Sequence, residues 1–436
     1  MAHPAGKGRR LKLSALLASR PLRYAAATVL VALICGGVLF ASGRAGQTVS
    51  AASAVTAPGV NAAVVGADAL LFRTLNEVSN KRIDSAISEI DKVITAYPNF
   101  RLAHLIKGDL LLARARPLTT IGNAPGASRD QLEDLREEAR ARLARFQHQR
   151  PVDMVPRYLV QMQPEQHHAV VVDTAKSTLY VFENRGGEAH YVTDYYVTIG
   201  KNGFDKAREG DNKTPLGVYH VTDSLSREKL NSTYGKLAEQ YGVGALPISY
   251  PNEWDRREGR NGFGIWLHGV PFDTYSRPPR ASNGCVALTN EDFTSLSKSV
   301  QTGLTPVIIA NGVDWVAPGA NKALRQELAG RIEGWRRDWE SLDTEKYLSH
   351  YTANFTSGPM DLAQWSDQKR KVNAGKSWIK LKVEKVSVYL YPGRDDLAVV
   401  TFDQDYASSN LSNVMRKRQY WIREGSAWRI LHEGAA

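Results

Sequence analysis

The chain has 436 residues, 43% apolar, 23% charged and 9% aromatic, which excludes a disordered chain and a polytopic membrane protein and leaves room for about two to four domains. Its formal charge of +11 is unevenly placed: Lys7, Arg9, Arg10, Lys12, Arg20, Arg23 and Arg44 all precede the first acid, Asp68. The body is therefore only mildly basic, and no nucleic acid is expected as a partner.

Residues 24–42 (YAAATVLVALICGGVLFAS) carry no charge and are about long enough to cross a ~30 Å hydrocarbon core as one helix. Six of the seven positive charges precede this span, so the positive-inside rule predicts a single-pass inner-membrane anchor with a cytoplasmic N-terminus and a periplasmic body. A cleavable signal peptide is the competing reading, since small residues follow, but the run exceeds the apolar core usual for such peptides. Residues 1–44 are then tail and anchor, and the small, uncharged residues 45–66 a flexible linker. Cys35 lies inside the span, which leaves Cys285 without a disulfide partner. A lone thiol in an oxidising compartment is either a packing cysteine or a nucleophile.

Residues 67–150 read as helical. Leu70, Leu71, Leu75 and Val78, then Ile83, Ala86, Ile87, Ile90, Val93 and Ile94, recur at three and four until Pro98 stops the pattern, and Phe100, Ala103, Ile106 and Leu110 resume it. This stretch resembles one tetratricopeptide-type pair; a plain helical hairpin is the alternative. Ser128 caps a further helix, RDQLEDLREEARARLARFQHQ, whose alternating charges predict a solvated spacer. Pro151, Pro156 and Pro164 mark a linker of extended chain.

Short β-branched runs fill residues 167–312: AVVVDT, TLYVFEN, HYVTDYYVTIG, GVYHVTD, GIWLHG, CVAL and TPVIIAN. A second linker, APGANK, ends that mainly-β region. Residues 323–436 then read as an amphipathic helix (Leu324, Leu328, Ile332, Trp335, Trp339) followed by long strands, an α+β domain with a concave sheet. Both linkers are expected to be protease-sensitive and the C-terminal domain to stand alone.

The chemistry concentrates in GFGIWLHGVPFDTYSRPPRASNGCVALTN, residues 262–290. The loop between His268 and Cys285 is long enough to return two strand ends side by side. Histidine is the side chain suited to take a thiol proton near neutral pH, although His268 also fits a satisfied core histidine. Gly284 lets backbone approach a substrate, and the amides of Gly284 and Cys285 are candidate oxyanion donors. A thiol paired with His268 is expected to titrate below the ~8.5 of free cysteine.

HG, a loop and SNGCVAL resemble the catalytic motif of the YkuD-type L,D-transpeptidases, in its YafK-like branch. TLYVFEN, YYVTIGKNG and NKTPLGVYHV resemble that family's opening strands and its TPxG turn, carried here by Thr214, Pro215 and Gly217. The resemblance spans residues 167–312 and implies Cys285 as nucleophile, His268 as proton donor and acceptor, and Ser282 and Gly284 as shapers of the nucleophile turn and, with the Cys285 amide, the oxyanion hole. Asn283 stands where His or Arg is frequent, and Ala287 where Arg is usual. Arg277 and Arg280, with Asn283, are the candidates to meet substrate in its place.

What the family implies is attack on a peptidoglycan stem peptide through a cysteine thioester, with no metal and no organic cofactor. An amine of a second stem, a lipoprotein or water then takes the acyl group. A hydrolytic member (an L,D-carboxypeptidase, or an enzyme releasing wall-attached protein) is the alternative, and a non-catalytic wall-binding scaffold is the alternative of another class. The C-terminal domain resembles the NTF2-like fold, whose aromatics either line a pocket or form its core. The helical and NTF2-like regions are the candidate docking sites for periplasmic protein partners.

Overall fold

The computed structural model describes residues 66–118, 120–123, 126–147 and 150–436. The anchor expected at residues 24–42 and nearly all of the linker after it lie outside them; among the described residues no helix is long and apolar enough to cross a membrane. Two compact units result, one from residues 66–93 with 105–125 and the other from 94–104 with 126–436.

Helices span Ala67–Ser79, Ile83–Ala96, Arg101–Ala113 and Arg129–Gln147. Ala86, Ile90 and Val93 form the buried stripe of the second, at the spacing its sequence predicts. In the first unit, Asp109 accepts hydrogen bonds from the backbone N–H groups of Gly122 (2.6 Å) and Asn123 (2.9 Å), closing the chain that follows its helix.

In the second unit a five-stranded sheet runs in the order Glu188–Tyr196, Thr178–Arg185, His168–Asp173, Pro306–Ala310, Gly217–His220. The central pair is parallel, Val171 facing Ile308, and the rest are antiparallel. Both faces are covered, which explains the unbroken apolar run AVVV: Val170 and Val172 enter one core with Leu267, Val286 and Phe293, while Ala169 and Val171 enter a second with Trp335 and Trp421. A four-stranded sheet (Val286–Ala287, Trp266–His268, Gly244–Pro247, Leu225–Ser226) packs against the first core and carries the candidate site.

The C-terminal sheet has seven strands in the order Met360–Asp361, Tyr351–Ser357, Ala427–Ala435, Leu411–Glu424, Leu397–Ser408, Ile379–Leu390, Leu159–Gln161. Helices Lys322–Glu340, Thr344–Leu348 and Leu362–Ala374 accompany it. Trp335, Tyr347, Tyr420, Trp421 and Trp428 are almost wholly buried, so they are core.

The first expected linker is not free chain, and strand pairing runs up to the start of the second. Val155–Pro156 pairs antiparallel with Trp315–Val316, and Leu159–Gln161 adds an edge strand to the C-terminal sheet through Tyr389. Pairing satisfies backbone groups that an extended linker would leave to water. Because the second core also draws residues from both regions, the expectation of a freestanding C-terminal domain is corrected: the two β regions share one apolar interior.

Candidate active site

His268 and Cys285 are brought together by strand pairing. Trp266–His268 runs parallel to Val286–Ala287, with Leu267 opposite Val286 and His268 opposite Ala287. Leu267 and Val286 both point into the core, so alternation turns His268 and Cys285 out on the same opposite face. Ala287, directly across from His268, is buried and small; an arginine in its place would have to share that crowded position.

The turn carrying Cys285 is locked from three sides. Gly284 has a φ of 120°, and a Cβ there would lie 2.7 Å from the Lys213 carbonyl, so only glycine fits. Ser282 Oγ donates to the Cys285 carbonyl at 2.6 Å and accepts from the Gly284 amide at 3.1 Å. The expected oxyanion role for the Gly284 amide is thereby corrected: its proton is already engaged by Ser282, which leaves the Cys285 amide of the two. Thr214, fully buried, accepts from the Gly200 amide at 2.9 Å and donates to the Gly284 carbonyl at 3.0 Å. That is the physical use of the TPxG threonine.

His268 is 4% exposed, and its Nδ1 lies 2.5 Å from the Gly269 carbonyl. A carbonyl only accepts, so Nδ1 carries the proton and Nε2 is the free base. The ring meets the edge of Tyr241 with centroids 5.2 Å apart. Burial, together with the charge of Arg277, lowers the imidazole pKa to about 4 despite the Gly269 bond. His268 is neutral at pH 7.

The thiol of Cys285 donates to the Gly264 carbonyl at 3.3 Å, and no hydrogen bond joins it to the imidazole in this state. Burial pushes its pKa up to about 11, with the Trp266 amide, Arg277 and Lys206 only partly opposing. The expected low-pKa thiolate is thus corrected. No cation touches the sulfur closely enough to repay desolvation, so the resting pair is thiol and neutral imidazole.

The loop between them separates the remaining candidates. Arg280 reaches away to Glu137 of the helix Arg129–Gln147 at 2.8 Å, in an exposed pair. Asn283 is exposed at the tip of the turn. Arg277 is half-buried, forms no ion pair among the described residues, and acts electrostatically on both Cys285 and His268.

Two contributors escaped the sequence reading. Asn290 Oδ1 accepts from the amides of Val243 and Val270, both at 3.2 Å, and occupies the space a Cβ on Gly242 or Gly269 would need. It thus anchors the chain just beyond His268. The other is the helix Arg129–Gln147: its Glu138 and Arg142 are buried, not solvated, and face the loop. Nothing in a single sequence marks either, because an asparagine and an i,i+4 ion pair are ordinary surface features.

Residues 167–309 match the YkuD family, the L,D-transpeptidase catalytic domain, and residues 327–434 match the Cds6 C-terminal NTF2-like domain. "Putative L,D-transpeptidase YafK" of Escherichia coli (strain K12) is 28% identical over 128 residues, 29% of this chain and 44% of that protein, so the match spans less than half of the curated relative. The solved structure of Bd1075 from Bdellovibrio bacteriovorus is 29% identical with a TM-score of 0.55, covering 65% of this chain and 98% of its own. The helical cell shape determining protein Pgp2 from Campylobacter jejuni, 24% identical, shares the fold with a TM-score of 0.54 over 64% of this chain and 95% of its own. The chain therefore carries a YkuD-type L,D-transpeptidase catalytic domain and a C-terminal NTF2-like domain, and the expected mainly-β and α+β regions are these two.

Proposed function

We propose that this protein is a periplasmic L,D-transpeptidase held in the inner membrane by residues 24–42, acting on peptidoglycan stem peptides through a thioester at Cys285. The observation that carries the reading is the parallel pairing that puts Cys285 and a tautomer-locked His268 on one face within the L,D-transpeptidase domain.

As Cys285 Sγ bonds to the carbonyl carbon of the third stem residue, an L-centre of diaminopimelate, its proton passes to His268 Nε2. Proton transfer accompanies attack, since the thiol rests protonated and the imidazole neutral. The Cys285 amide donates to the developing oxyanion. The tetrahedral adduct collapses by breaking the bond to D-alanine, whose nitrogen takes the proton from Nε2, and the acyl group remains as a thioester. An amine of a neighbouring stem then attacks, His268 accepts its proton, and the thiol departs with that proton as the 3→3 cross-link forms.

The test is mass spectrometry of muropeptides after incubating purified sacculi with the soluble body. New 3→3 dimers that vanish with Cys285→Ala support the proposal. Tripeptides without dimers indicate water as acceptor, and unchanged chemistry with Cys285→Ala eliminates the enzymatic reading. For the anchor, a reporter active only outside the cytoplasm, fused after residue 60, is expected to be active. A mature chain starting near residue 45 would replace the anchor with a cleaved signal.

A further inference from the structure

The loop bearing Arg277 is not held by the β domain alone. Glu138 and Arg142 of the helix Arg129–Gln147, with side chains 2% and 4% exposed, form an ion pair at 2.9 Å, and Ser276 Oγ donates to the same carboxylate oxygen at 2.5 Å. The Arg142 guanidinium lies over the ring of Tyr196 at 4.1 Å and of Phe100 at 5.1 Å. Tyr196 in turn donates its hydroxyl to the Arg277 carbonyl at 3.0 Å. On the other flank Tyr275 packs on Tyr97 and Phe100, with centroids 4.6 and 4.8 Å apart, and Asn99 Nδ2 donates to the Phe272 carbonyl at 3.1 Å. Residues 275, 276 and 277 are therefore each tied, by ring, side chain or backbone, to a frame that includes helical segments.

Burying an ion pair is a poor way to gain stability, and a hydrophobic pair of similar volume often does better. Here the carboxylate has a second partner, the loop hydroxyl next to Arg277. We propose that Glu138 is a positioning residue: through Ser276 it holds the loop between His268 and Cys285 so that Arg277, carried on that loop, receives the carboxylate of the acyl donor's leaving residue. The ligand part of this inference rests on the transpeptidase reading above; the positioning part does not. Arg277 is suited to the task because its guanidinium forms no ion pair among the described residues, whereas Lys206, the other cation acting on the thiol, is already paired with Asp211 at 2.8 Å.

Two readouts on the soluble body separate the parts. The first is the rate of Cys285 alkylation by iodoacetamide at pH 8, which needs no substrate. The titratable groups acting on the thiol there are Tyr241, Arg277 and Lys206, and His268, neutral at this pH, meets the Tyr241 ring. Withdrawing the Arg277 charge lowers the thiolate fraction, so Arg277→Ala and Ser276→Ala are each expected to slow alkylation about three- to tenfold. The double variant is expected to be no slower than Arg277→Ala alone, and Ser276→Thr and Glu138→Gln, which keep the hydrogen bond, to recover most of the rate. An unchanged rate in Ser276→Ala beside a slowed Arg277→Ala, or additive losses in the double variant, overturns the positioning claim. No change in Arg277→Ala overturns the placement of its charge.

The second readout is turnover of a tetrapeptide muropeptide. Arg277→Ala and Ser276→Ala are expected to raise KM about tenfold with a smaller loss in kcat. A loss confined to kcat overturns the carboxylate assignment. Wild type inert on muropeptides while the alkylation pattern holds would sink the proposed function and with it the ligand, but leave the latch standing.

Discussion

The NTF2-like core and the candidate active-site face both withdraw titratable groups from water, with opposite results. In the core Glu433 is buried, yet Lys417 at 2.6 Å, with Lys369 beyond it, more than reverses the effect of burial and holds the carboxyl below its ordinary range. Gln419 and Tyr351 complete its hydrogen bonds at 2.8 and 3.2 Å. On the catalytic face Cys285 and His268 have no opposite charge in contact, so burial keeps both neutral. Desolvation is common to both regions. A contacting partner turns a buried group into a fixed charge that holds structure; its absence leaves the group neutral and free to exchange a proton.

Removing the core partner should have the largest effect. Glu433→Ala leaves Lys417 charged and buried, and is expected to cost about 3–5 kcal/mol in chemical denaturation, much of it recovered by a Glu433→Leu, Lys417→Met double variant. Because the Glu433 carboxyl titrates below its unfolded value, its stabilising contribution is complete above about pH 4.5 and is lost as pH falls through the folded pKa. A denaturation midpoint that falls no more steeply in this window for wild type than for the double variant would contradict the paired state.

The catalytic face should answer in reactivity rather than stability. At pH 7 Cys285 is expected to be alkylated about twentyfold more slowly than a free thiol, the greater nucleophilicity of a basic thiolate offsetting only part of its scarcity. Alkylation faster than the free thiol would restore the thiolate–imidazolium pair. The pH profile of kcat/KM should keep its activity down to an acid limb near 4, the value to which burial lowers His268, rather than near the imidazole's usual 6.5.

Thr214→Val tests the frame between these extremes: it leaves the buried Gly200 amide and Gly284 carbonyl without their hydroxyl partner, costing about 2 kcal/mol by thermal or chemical unfolding. Smallest of all is Arg280→Ala. Its pair with Glu137 is largely exposed, so stability should change by less than about 1 kcal/mol and turnover by less than about twofold.

How much of this was legible before folding depends on where the information resides. The β-branched runs, the HG and SNGC motifs, and the aromatic periods of residues 323–436 are local, and they delivered the two fold classes and the pair Cys285 and His268. Titration behaviour was not legible, because the expected low thiol pKa assumed a charge contact that only packing can grant or refuse. The linkers misled for a related reason: a short proline-containing stretch looks the same whether water or a distant strand satisfies its backbone, and the strands facing Val155–Pro156 and Leu159–Gln161 lie far along the chain.

The sequence by itself determined the residue types and their spacing: a glycine at 284 where φ must be positive, a serine two residues before it, and a histidine at a strand end with a glycine directly after it. Tertiary structure alone decided which groups those residues meet. It directed Arg280 to Glu137 and left the Arg277 guanidinium without an ion pair among the described residues, and it turned Glu138 and Arg142 from a solvated pair into a buried one touching the candidate active-site loop. Local sequence sets backbone preference and face. Charge state and hydrogen-bond partnership depend on solvent exclusion, which is a property of elements distant in sequence and adjacent in space.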